Sequence, residues 1–216
     1  TLSLAFFTLT IAIVVAVPVG VLAAWKAGSW IDRGVMAFSV LGFSTPVFVL
    51  GYALIYCFSL KLNFFPVQGY TSISEGLWPF HHRLTLPSVT LSVIFIALFA
   101  RITRASVMEI LEEDYIRTAR AKGLPNRTVL MRHALRNAAV PIITVIGIGF
   151  ALLIGGVVVT ESVFNIPGLG RLTVDAVLRR DYPVIQGIIL VFSATYVLVN
   201  LIIDILYVAL DPRIRY

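Results

Sequence analysis

The sequence predicts an all-α, polytopic membrane protein with five transmembrane helices. Three observations carry this. The 216 residues are 59% hydrophobic and 13% charged, with a mean hydropathy of +0.95, too apolar for a soluble domain of this length. The charges gather in short intervals and leave five stretches without one: 1–25, 34–60, 84–100, 137–160 and 182–203. Each reaches or approaches the roughly 20 residues a helix needs to cross a hydrocarbon core about 30 Å thick. Barrel strands would be about half as long and alternate in polarity.

The first stretch closes at Trp25, and a tight turn follows with Gly28 and Ser29 as breakers. The second leads into an outer connection, 61–83, that holds Pro66, Gly69, Gly76 and Pro79. Trp78 and Phe80 stand in it like interfacial anchors, and His81 and His82 read as solvated loop residues. The third stretch is the shortest; Arg101 and Arg104, snorkelling to the interface, are expected to lengthen it. The fourth is rich in glycine, at Gly147, Gly149, Gly155 and Gly156, which suits close helix packing or a pathway wall. A further outer loop, 161–183, precedes the fifth stretch. There Asp204 lies one turn from Asn200 on the same face, near the cytoplasmic rim, where packing or an arginine pair is its expected role. No linker or repeat divides the chain, so 1–216 is read as one membrane domain.

Orientation follows from lysine and arginine. The first connection (Lys26, Arg33), the third (eight basic residues from Arg101 to Arg136) and the tail (Arg213, Arg215) hold twelve. The second (Lys61, Arg83) and fourth (Arg171, Arg179, Arg180) hold five. The positive-inside rule puts the long basic connection and the C-terminus in the cytoplasm. The sequence pI near 9.8 points to anionic lipid headgroups as neighbours rather than nucleic acid. Five spans ending inside leave Thr1 outside with no signal to deliver it, so at least one helix upstream is expected, six in the full protein.

The segment 105–137 is built to stay in water. Good helix formers run from about Ser106 to Lys122, with Glu113 four residues before Arg117. Gly123-Leu-Pro125 then interrupts, and Asn126 is placed to cap a second helix running into the fourth span, with Pro141 near the membrane entry. A solvated linker would need neither the corner nor Tyr115, Ile116, Leu124, Val129, Leu130 and Leu135. Apolar side chains on a cytoplasmic helix pair imply packing against the rest of the domain, a partner, or both.

The run Tyr115-Ile-Arg-Thr-Ala-Arg-Ala-Lys-Gly123, with Arg132-His-Ala-Leu-Arg-Asn137 and Pro141, resembles the cytoplasmic loop of permease subunits of bacterial ABC importers, in particular the dipeptide and oligopeptide branch. Aligned on Gly123, the residues Ala119, Gly123 and Leu135 fit the general importer motif, and Arg117-Thr-Ala119 is similar to the peptide branch's form of its opening. Further likeness covers Asn165-Ile-Pro-Gly-Leu-Gly-Arg171, Arg180-Asp-Tyr-Pro183 and Asp211-Pro-Arg-Ile-Arg-Tyr216.

The resemblance implies a permease subunit in a bacterial inner membrane that forms half of a peptide pathway. Its coupling helix would seat Arg117, Thr118, Ala119, Gly123, Leu124 and Pro125 in a groove of an ATPase subunit. The implied partners are a second homologous permease, two ATP-binding cassette subunits, a periplasmic or lipid-anchored substrate-binding protein, and membrane lipids. Gly147, Phe150 and Gly155 are the pathway candidates. Nickel complexes and glutathione are alternative cargoes within the same branch.

The chain has no Gly-x-x-x-x-Gly-Lys-Ser/Thr loop, so ATP and Mg would be bound by the partner ATPases, with no cofactor in this chain and no catalysis by it. His81, His82 and His133 have no Cys, Asp or Glu at metal-ligand spacing, and Cys57 is solitary. A proton-coupled carrier would need several ionisable groups at the midplane and a detectable repeat; the spans hold one acid, Asp204.

Overall fold

A computed structural model describes residues 1–210, with side chains to Val208. The motif at 211–216, its two arginines and the C-terminus lie outside the described residues. The described chain is helical throughout its ordered elements: α1 (Leu2–Trp25), α2 (Trp30–Ser44), α3 (Val47–Leu54), α4 (Leu77–Leu111), α5 (Asp114–Ala121), α6 (Asn126–Thr128), α7 (Leu135–Asn137), α8 (Ala139–Phe164), α9 (Leu169–Arg179) and α10 (Tyr182–Leu210). Wider π turns continue α3 over Ile55–Lys61 and join α6 to α7 over Val129–Ala134.

Helices α1 and α4 pack most closely. Small residues of α1 (Ala5, Ala12, Ala16, Gly20 and Ala23) are buried, and a Cβ on Gly20 would stand 2.7 Å from the Ala100 carbonyl oxygen. With side chains this small the backbones approach closely, the packing available where lipid offers no hydrophobic drive between helices. Phe95, Phe99, Leu91, Leu153 and Val157 extend the core from α4 to α8. Gly149 fits against the Phe99 ring, Gly156 against Leu91, and Gly147 against Ile203 of α10.

Four helices (α1, α4, α8 and α10) are long and apolar enough to cross a membrane. The predicted second span is broken into α2 and α3, which meet at 103°. Pro46 supplies no N–H and disfavours helical backbone in the residue before it; Thr45 is accordingly extended, with ψ 121. The broken pair still traverses the bundle, because its contacts advance steadily along α4. Asp32 meets Arg104, Gly42 lies against Ala97 and Val93, Gly51 against Thr90, and Phe64, three residues past the end of the pair, against His82. Those 22 residues of α4 rise about 33 Å, a full hydrocarbon thickness. The pair is a fifth, bent span rather than a loop that returns to its own side.

Loops that the charge count assigned to one side lie at one end. The α1–α2 turn reaches α4 through Asp32, which accepts a hydrogen bond from Arg104 Nη2 (2.7 Å) and another from the Gly28 N–H (2.9 Å). Val21 and Ala24 of α1 pack there with Leu130, Ala134 and Ala138. Thr1, the 62–76 connection and the 165–181 connection meet at the opposite end, where the Gly69 N–H donates to the Phe164 carbonyl (3.0 Å).

Several local expectations are corrected. Arg104 is held in an ion pair with Asp32 instead of snorkelling. Helix α4 begins at Leu77 and runs 35 residues, so Trp78 and Phe80 are helical, and so are His81 and His82. These histidines are not simply solvated: His82 stacks between Phe65 and Trp78, and His81 packs edge-on to Phe7 and Phe80. The outer loop after the fourth span contains α9, and its first residue, Glu161, is wholly buried in the last turn of α8. Its carboxylate accepts from the Thr1 hydroxyl (2.6 Å) and the Arg171 N–H (3.0 Å). A Cβ on Gly168 would collide with this carboxylate, and one on Gly170 with both the carboxylate and the Val158 backbone. Those close approaches are the physical reason for glycine at both positions of Pro167-Gly-Leu-Gly170.

Candidate coupling surface

The expected helix over 106–122 is two helices. Helix α4 stops at Leu111, Glu112 and Glu113 form a break, and α5 starts at Asp114. The break redirects the chain and changes the ion pairing. Arg117 Nη1 contacts Asp114 (3.2 Å), not Glu113, and with both side chains largely in solvent the pair contributes little.

Helix α5 ends in a defined corner. Gly123 has φ +80; its N–H donates to the Arg120 carbonyl (2.9 Å), and the Leu124 N–H reaches back to the Ala119 carbonyl (3.3 Å). This pair of bonds is a Schellman motif, with Gly123 as its left-handed residue. Pro125 blocks any continuation and itself occupies the N-cap position of α6, so Asn126 is the first helical residue and not the cap expected for it.

The corner is mounted on the bundle. Ile116 and Ala119 of α5 are buried with Val129 against Ile110 and Leu111 at the end of α4. Asn137 Nδ2 donates to the Tyr115 hydroxyl (2.8 Å), tying α5 to the foot of α8. Behind it, Leu130, Ala134 and Ala138 pack on Val21, Val107 and Ile142, joining the corner to α1, α4 and α8 together. A push on the corner therefore acts on three spans through packed side chains.

Of the six expected contact residues, the structure exposes Arg117, Thr118, Gly123, Leu124 and Pro125. Ala119 is turned inward, 8% exposed, and is spent on the chain's own packing. Arg120, Lys122 and Arg127 are exposed beside them, so the corner presents an apolar tip, Leu124–Pro125, inside a cationic ring. A Cβ on Gly123 would meet nothing within 4 Å, which leaves the space in front of it open. This surface can dock a groove with acidic edges and an apolar floor.

The three pathway candidates do not converge. Gly147 is buried against α10, Phe150 is half-buried in an apolar crevice with Leu153, Val191 and Phe192, and Gly155 faces open space. Among the described residues, Asp204 makes no ion pair and is exposed on α10.

The family described as binding-protein-dependent transport system inner membrane component matches residues 16–216. The chain is similar to a probable peptide ABC transporter permease of Sinorhizobium fredii, 56% identical over 216 residues that make up 100% of this chain and 69% of the relative. A putative peptide transport system permease of Brucella abortus is 45% identical, with the same shares covered. The glutathione transport system permease GsiC of Escherichia coli is 46% identical, covering 100% and 68%. In fold, the chain matches a chain of the inward-facing methionine ABC transporter MetNI at a TM-score of 0.76 and 19% identity, over 97% of this chain and 92% of that one.

Proposed function

This chain belongs to the binding-protein-dependent transport system inner membrane components, and from that premise we propose that it is the permease half-channel of a peptide importer, driven through the corner at Gly123. It is a multi-pass membrane protein that works as one subunit of an ABC transporter. Peptides are the cargo that the two peptide-permease relatives favour, and glutathione, itself a tripeptide, is the second reading that the 46% identity to GsiC supports.

The observation that carries the proposal is the rigid mounting of an exposed corner. A loop that only connects two spans has no need of a Schellman turn, a buried Ile116–Ala119–Val129 cluster and a hydrogen bond from Asn137. Those features let a partner's movement reach α1, α4 and α8 without being lost in bending. Arg117, Thr118, Gly123, Leu124 and Pro125 make the contact, and Ala119 keeps α5 seated. ATP and Mg stay with the two ATP-binding subunits, a second permease completes the pathway, and a substrate-binding protein delivers cargo to the end that holds the 62–76 connection. The basic end and the C-terminus face the cytoplasm.

The test is co-expression with the neighbouring genes for P-loop ATPases, a second permease and a binding protein. A complex that contains all of them and hydrolyses ATP faster in liposomes with peptide-loaded binding protein supports the reading. Stable, active ATPase subunits that never associate with this chain contradict it.

A further inference from the structure

Helix α10 is the least covered span, with 11% of its most apolar window buried, and its exposed face is not uniformly apolar. Tyr182, Gln186, Ser193, Asn200 and Asp204 recur at spacings of four and seven. At about 100° per residue they fall within roughly 40° of one another, a single stripe. Four of them are exposed and Asn200 is half-buried. The buried side of the helix, with Ile188 and with Ile203 against Gly147 of α8, lies elsewhere on its circumference. Leu198, Leu201 and Ile205 are also exposed but sit beside the stripe on a purely apolar arc.

From Tyr182 to Asp204 the stripe rises about 33 Å, the whole thickness of the hydrocarbon core. Lipid cannot satisfy hydrogen-bonding groups along that length; such side chains face protein or a water-filled cavity. One or two polar residues would serve a helix contact, but an end-to-end row of amide, hydroxyl and carboxylate suits a hydrated track. The stripe also continues onto α8. Tyr207, at its edge, donates from its hydroxyl to Thr144 Oγ1 (2.8 Å), and Thr144 shares the exposed row of α8 with Ile148, Leu152 and Gly155. Asn200 spends one N–H on the Tyr196 carbonyl, and among the described residues its oxygen and second N–H have no further partner.

We propose that the α10 stripe, with the Gly155 row of α8 beside it, is this subunit's wall of the translocation pathway, and that Gln186, Ser193 and Asn200 exchange hydrogen bonds with water and with the amide groups of a passing peptide. The proposal rests on the importer reading above and places the pathway on α10, whereas the glycines Gly147, Gly149 and Gly156 serve packing. Uncharged amides and hydroxyls suit cargo of variable side chains, because they match the constant backbone and bind no particular charge.

The test uses the assembled transporter in liposomes, with Cys57→Ser as background and single cysteines at Gln186, Ser193 and Asn200, and at Leu198 and Ile205 for comparison. A charged, water-soluble methanethiosulfonate reagent modifies a thiol only where water reaches it. Ser193→Cys, near mid-span and almost isosteric, should react at least tenfold faster than Leu198→Cys, and peptide-loaded binding protein with ATP should slow that reaction. Equal, slow reaction at both positions, with quenching of a label at 193 by brominated lipid, overturns the proposal. So does a spontaneous cross-link from position 193 to another subunit without water access, which makes the stripe a helix contact. Fast reaction that peptide never slows, but another cargo does, keeps the wall and overturns the peptide reading.

Discussion

Replacing Gly123 separates the geometry of the corner from the space in front of it. At φ +80 an L-residue is strained by roughly 1–2 kcal/mol, with a β-branched side chain at the upper end. Because an added Cβ would meet nothing within 4 Å in this chain, no steric cost inside the subunit adds to that figure. At about 1.4 kcal/mol per factor of ten, Gly123→Val lowers the weight of the Schellman corner against other conformations by about fivefold to thirtyfold. The ATPase groove, if it takes only that corner, loses affinity by a similar factor. Asparagine tolerates the left-handed conformation, so Gly123→Asn keeps the corner while placing a side chain in the open space. The assay is binding of purified ATPase subunits to the permease pair in nanodiscs, with hydrolysis and transport followed in liposomes. Weak binding for Val but not Asn assigns the effect to the backbone; weak binding for both adds a tight groove. Membrane insertion should be unchanged in each. If Gly123→Val binds, hydrolyses and transports like the parent, the corner is a connector and the coupling argument is wrong.

Three other outcomes are expected. Arg104→Met leaves the Asp32 carboxylate, 6% exposed, without its partner; loss of about 3 kcal/mol or more should appear as a lowered unfolding temperature in detergent, and Asp32→Asn with Arg104→Met should recover part of it. Gly149→Val drives a Cβ to within 2.5 Å of the Phe99 ring and should destabilise by about 1–3 kcal/mol, while Gly155→Val, with nothing near it, should leave the unfolding temperature within a degree or two. Cysteines at Ser74 and Asn126 should label from opposite membrane faces, Ser74 from the periplasm; labelling of both from one side contradicts the five-span map.

The spans were legible because long uncharged runs leave a helix no alternative in lipid, and the glycine-proline corner because both residues restrict the backbone locally. What the sequence concealed is tertiary. Pro46 hinted at a break in the second span, but a proline inside a transmembrane run is compatible with an unbroken helix, as Pro18 in α1 shows. Glu161 read as the first charge of a loop, since nothing local announces that an acid at the end of an apolar run is enclosed by Gly168, Gly170 and Thr1. Of the corner residues, Ala119 was expected to face the partner, but at this spacing only the packing against Val129 decides which side of a short helix turns inward. The α10 stripe was half visible as Asn200 and Asp204; its full length matters only once α10 is seen to be uncovered.

Coupling through the corner around Gly123 requires that the corner touch an ATP-binding subunit. Leu124 is 37% exposed at its tip, and a single cysteine there, on the Cys57→Ser background, provides a direct probe. With a short bifunctional maleimide and cysteines introduced along the ATPase groove, position 124 should cross-link to the ATPase subunit in high yield, and a cysteine at Ser74 should give none. An active, assembled transporter in which position 124 never cross-links to an ATPase subunit, or does so no more than position 74, would rule out coupling through this corner.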